Sequence, residues 1–106
     1  MALTKDFRDT IRERAQADPA FRQGLLREGL ALCHAGDFET GRGILRNYIN
    51  ATIGFPKLSR ATRISSPSLQ RMFGPNGNPS AQNLFGVIAA LQKAEGVSVE
   101  LQMHAQ

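Results

Sequence analysis

Apolar residues recur at helical spacing along most of this chain, and the breaks between the repeats fall on residues that cap helices. Phe7, Ile11 and Ala15 stand at i, i+4 and i+8 and predict a first helix from about Thr4 to Gln16. Asp18-Pro19 opens a second helix, because the Asp side chain accepts from orphan amides and Pro fits the first turn. That helix runs to about Ala35, with Phe21, Leu25, Leu26, Leu30 and Cys33 on one side, and Gly36 suits the left-handed residue that ends it. Asp37 caps a third helix over residues 38–52, with Phe38, Leu45, Tyr48, Ile49 and Ala51 as its apolar side. Arg42 and Arg46, four apart, are expected to share its exposed face. Gly24, Gly29, Gly41 and Gly43 lie inside these helices at about 1 kcal/mol each relative to Ala, which suggests close helix–helix approach.

Two short helices follow. The first runs from Phe55 to about Ala61 with Pro56 in its opening turn; the second is capped by Ser65 or Ser66, carries Pro67 in its first turn and reaches about Phe73. Gly74-Pro75-Asn76-Gly77-Asn78-Pro79 reads as a loop. A last helix spans Pro79 or Ser80 to about Ala94, with Leu84, Val87, Ile88 and Leu91 facing the core, and Gly96 ends it. Val97, Val99, Leu101 and Met103 then alternate with polar residues, the period of a half-buried strand. No other segment reads as a strand, and a lone strand leaves its backbone groups unpaired. Pairing with its own copy across a two-fold axis resolves this, so a homodimer through Val97, Val99, Leu101 and Met103 is expected. The resulting fold class is all-α, five to six helices in one domain over residues 1–106, plus one short C-terminal strand at 97–103.

Charge sharpens this picture. The chain has a formal net charge of +4, with 13 Lys and Arg against 9 Asp and Glu. Residues 40–94 hold Arg42, Arg46, Lys57, Arg60, Arg63, Arg71 and Lys93 and no Asp or Glu at all. A surface that meets a polyanion must lack carboxylates, since each repels phosphate while each cation displaces a condensed counterion. This gap encloses the two short helices at 55–73. In a helix–turn–helix the second helix packs across the first through a tight turn, which needs a small residue at the contact. Leu58 then points inward, Ser59 or Ala61 allows the approach, and Ile64 anchors the turn. Leu69, Met72 and Phe73 form the inner side of the second helix, leaving Ser66, Ser68, Gln70 and Arg71 outward. Arg71 suits guanine and Gln70 adenine, and Ser65, Ser66 and Ser68 can bond a phosphate or a base edge. Lys57, Arg60 and Arg63 read as phosphate clamps, and Asn76 and Asn78 as further backbone contacts.

Several segments carry a family likeness. Leu58-Ser59-Arg60-Ala61-Thr62, Ile64-Ser65, Ser68-Leu69, Gly77-Asn78-Pro79-Ser80, Asn83-Leu84 and Ala89-Ala90-Leu91 resemble the lambda-repressor-like (XRE/Cro/CI-type) helix–turn–helix family. Arg71 to Pro79, Asn83-Leu84-Phe85 and Val97 to Leu101 look more like its addiction-module antidote (antitoxin) branch. Asp18 to Phe21 and Leu45 to Asn50 are similar to a regulator group in that branch. The resemblance implies sequence-specific binding of double-stranded DNA by a dimer on a palindromic operator, with recognition helices ~34 Å apart. The antitoxin branch further implies neutralisation of a RelE/HigB-type toxin. The family usually places Gly in the turn where this chain has Arg63, at a cost of roughly 1 kcal/mol for a left-handed backbone.

Other chemistry finds little footing. Cys33 is the one cysteine, so no intrachain disulfide can form, which fits a reducing cytoplasm. No leader pattern is visible, and the longest apolar run, Leu84 to Leu91, is far too short to span a bilayer. Cys33-His34 lacks a spaced partner for a metal, and Gly74-Pro75-Asn76-Gly77 lacks the Lys-Ser/Thr of a phosphate loop. The expectation is a transcriptional regulator, not an enzyme, with no cofactor and no metal. The rival expectation is a protein–protein module whose acid-bearing N-terminal helices mask a basic toxin.

Overall fold

The computed structural model describes residues 4–106; the first three residues of the expected 1–53 helical segment lie outside them. Six helices follow in order: α1 Lys5–Ala17, α2 Pro19–His34, α3 Phe38–Ala51, α4 Phe55–Thr62, α5 Ser66–Met72 and α6 Ala81–Glu95. Their starts follow the capping chemistry. Thr4, Asp18, Asp37, Ser65 and Ser80 each accept an amide hydrogen from three residues ahead. Gly96, at φ +74°, ends α6 in the left-handed form.

The first three helices pack on one another, and α4 packs on α5 and α6. One core joins the two groups: Leu26, Leu45, Tyr48 and Ile49 meet Phe55, Leu58, Leu69, Met72, Phe73, Val87 and Leu91. Burial of this apolar surface is what holds the short helices α4 and α5, neither long enough to persist alone in water.

The glycines of α2 and α3 divide into two kinds. A Cβ on Gly41 would lie 2.6 Å from Cys33 Sγ and 2.9 Å from the Gly29 carbonyl, and one on Gly29 would strike Leu45 at 2.8 Å. These two glycines let α2 and α3 approach closely. Gly43 has nothing within 4 Å and Gly24 only an Arg27 nitrogen at 3.9 Å, so the expectation of close approach fails for that pair.

Two further expectations are corrected. On α1, Ala15 is buried and Ile11 half-buried, but Phe7 is exposed, so the apolar stripe packs only over its C-terminal half. Residues 97–106 form no strand in the protomer. Val97 packs on the core and its amide donates to the Gln92 carbonyl, and the Val99 amide donates to Gln92 Oε1 at 2.8 Å. Beyond that, Leu101 is 79% and Met103 95% exposed. A strand needs a ladder partner, and the described residues of one protomer offer no second extended segment.

Candidate nucleic-acid interface

Helix α4 is short because its sequence spends its side chains on the turn that follows. Thr62 Oγ1 donates back to the Leu58 carbonyl and accepts from the Ile64 amide. Ser59 Oγ donates to the Ile64 carbonyl at 2.5 Å, and the Arg63 amide donates to the Ser59 carbonyl. Of the two small residues expected at the contact, Ser59 is therefore the one used; Ala61 is exposed. Arg63 sits at φ 61°, ψ 24°, the single non-glycine residue with positive φ among those described. The left-handed conformation is kept without glycine, and the surrounding hydrogen bonds hold it there.

Ser65 then caps α5. Its Oγ accepts the Ser68 amide and donates to Ser68 Oγ at 2.9 Å, and Arg71 Nη2 donates to the same Ser68 Oγ at 3.1 Å. Residues 65, 68 and 71 thus form a hydrogen-bonded ladder along one side of the helix. Leu69, Met72 and Phe73 fill the core behind it. Gln70, Arg71, Lys57, Arg60, Arg63 and Ser65 are exposed, Ser66 and Ser68 half-buried, and Asn76 and Asn78 exposed in the following loop. Among the described residues none of the four cations Lys57, Arg60, Arg63 and Arg71 is paired with a carboxylate. Chemically the surface offers charge and hydrogen-bond donors to an anion and presents no carboxylate to repel it.

Arg42 departs from expectation. It is half-buried, lies over the Phe38 ring, and donates to the carbonyls of Pro75 and Gly77. It therefore clamps the 74–79 loop from α3, while Arg46 stays exposed. The i, i+4 spacing gave both residues the same face; only the loop's return past α3 separates them.

Glu95, the first carboxylate after the acid-free stretch, does not stand in solvent. Its side chain is 3% exposed; it accepts from Arg22 Nε at 2.6 Å and from the Tyr48 hydroxyl at 2.5 Å. Arg22 also donates to the Ala15 carbonyl, so one carboxylate ties α1, α2, α3 and α6 together. Burial acts to raise the Glu95 pKa, but the donors Tyr48 and Arg22 and the Arg22 charge outweigh it and hold the carboxyl below its ordinary range. Burial and the bonded carboxylate push the Tyr48 hydroxyl well upward. A signal was present in the sequence: an acid in the last turn of a helix opposes the macrodipole, and such a residue needs a compensating partner.

Cys33 is half-buried against Gly41, and burial, with Asp37 beside it, raises its thiol pKa; His34 is exposed. No helix among the described residues is long and apolar enough to cross a membrane. No protein-family model, curated protein or solved structure matches this chain.

Proposed function

We propose that this protein is a sequence-specific double-stranded DNA-binding regulator of transcription, with α4 and α5 as a helix–turn–helix and α5 as the reading helix. One observation carries the reading. The Ser65–Ser68–Arg71 ladder begins and ends on exposed residues, and exposed Lys57, Arg60 and Arg63 of α4 and its turn have no carboxylate partner among the described residues, all in a stretch of 55 residues (40–94) free of carboxylates. In this reading Arg71, whose Nη2 donates to Ser68 Oγ, turns its remaining guanidinium N–H groups to a guanine edge, and Gln70 addresses an adjacent base. Ser65, Ser66, Lys57, Arg60 and Arg63 fix the register on phosphates, with Asn76 and Asn78 on the neighbouring backbone. The homodimer belongs to the same proposal: Val99, Leu101 and Met103 are exposed apolar side chains on an extended tail, and the tail of a second copy would supply the missing ladder.

Selection of bound sequences from random duplex DNA at two salt concentrations tests this. Enrichment of a palindrome, with affinity falling steeply as salt rises, is the expected result. Recovery of an unenriched pool at both concentrations would overturn it. A second reading, a module that neutralises a RelE/HigB-type toxin or another protein, draws on the same exposed apolar tail and on Phe85, 65% exposed on α6. The two roles are compatible in one chain. Co-purification of a small basic protein encoded next to this one distinguishes the second role from dimerisation alone.

A further inference from the structure

Cations gather in a second place, on the inner side of α1. With 3.6 residues per turn, Lys5, Arg8 and Arg12 fall within about 60° of one another; Asp9 stands about 40° beyond Lys5, and Glu13 and Asp6 lie farther round. These three exposed cations line a cleft of about 350 Å³ whose opposite wall is Asn47 and Asn50 of α3. Arg8 and Arg12 form a like-charge i, i+4 pair, an arrangement that disfavours an isolated helix. The cleft does not end there. A groove of about 750 Å³ continues from Arg8, Asn47 and Asn50 past Arg46 to Gly74 and Pro75. Gly74 and Pro75 in turn wall the recess beside α5 that holds Gln70, Arg71 and Asn76. Arg71, Arg46, Arg8, Arg12 and Lys5 thus line a row of three adjoining recesses that share walls, with Arg42 clamping the loop between them and Asp9 and Glu39 as the carboxylates.

We propose that the α1–α3 cleft binds the phosphodiester backbone of duplex DNA flanking the segment that α5 reads. This rests on the DNA-binding reading above. The ligand chemistry follows from the lining: guanidinium and ammonium groups neutralise phosphates, and Asn side chains donate to phosphate oxygens without reading bases. A duplex carries one charge per ~1.7 Å of axis, so a track longer than the reading helix meets additional phosphates in either direction. The N-terminal helix then acts as a cationic extension of the DNA surface, and its contribution is independent of sequence.

Fluorescence anisotropy with two labelled duplexes decides the matter, one ending at the selected site and one with ~10 bp of random flank on each side, about one further turn. The wild type binds the flanked duplex tighter. The variant carrying Lys5→Gln, Arg8→Gln and Arg12→Gln loses that gain, and its log K against log salt slope on the flanked duplex falls by up to about 2.7, near 0.9 for each of the three lost phosphate contacts. Arg71→Ala weakens both duplexes and keeps the gain from the flank. Asp9→Asn, which leaves every cation in place, tightens the flanked complex. The proposal fails if the triple variant keeps both gain and slope, or if Asp9→Asn changes nothing; weakening by Arg71→Ala would then leave the DNA-reading role standing. Absence of duplex binding by the wild type overturns both.

Discussion

Replacing Glu95 by Gln keeps the side chain's shape and removes its charge. The Arg22 guanidinium, 27% exposed, then faces an amide, and Tyr48 loses a charged acceptor. Hydrogen bonds to charged groups contribute about 1.5–3 kcal/mol each, and the amide oxygen can still serve one donor. Part of Arg22's loss is returned by water at its exposed edge. The net destabilisation is therefore about 1–3 kcal/mol, well below the ~3–5 kcal/mol for stranding a fully buried charge. In a domain of this size that lowers Tm by about 4–12 °C. Urea unfolding followed by circular dichroism measures it, and the pH dependence checks the cause. Glu95 has a lowered pKa in the folded state, so its contribution is complete above the unfolded carboxyl value and is lost as pH falls through the folded one. The deficit of Glu95→Gln should accordingly be full at pH ~7 and shrink below pH ~4. A variant within ~0.5 kcal/mol of wild type at neutral pH, the range of an ordinary surface substitution, would refute the claim that this carboxylate unites four helices.

Three further outcomes are expected. Gly41→Ala should cost about 1–3 kcal/mol in urea unfolding, because its Cβ meets Cys33 Sγ and backbone; Gly43→Ala, facing open space, should gain about 0.5–1 kcal/mol. Arg42→Ala should destabilise by about 1–3 kcal/mol and raise amide exchange in residues 74–79, since the carbonyls of Pro75 and Gly77 lose a charged donor. In competition binding, Arg71→Ala should relax preference at one base pair by about 1–3 kcal/mol, whereas Lys57→Ala should weaken all sequences alike; an unchanged preference would remove Arg71 as a base reader.

The residue order alone determined the helices, because caps and periodicity are local. Asp18, Asp37, Ser65 and Ser80 meet amides three residues ahead, and the apolar spacing names the buried side of α3, α5 and α6. It also determined that Gln70 and Arg71 stand outward, since Leu69 and Met72 must turn inward on so short a helix. What it could not determine were meetings between residues far apart in the chain. Arg42 and Arg46 are equivalent on a helical wheel, and only the loop at 74–79, some thirty positions on, makes one a clamp and leaves the other free. Glu95 meets Arg22 across 73 residues of sequence, a pairing that no local pattern encodes. The alternation at 97–103 shows the converse. A period of two is a local property, but a strand exists only when another backbone completes its hydrogen bonds, and that partner must come from outside the described protomer.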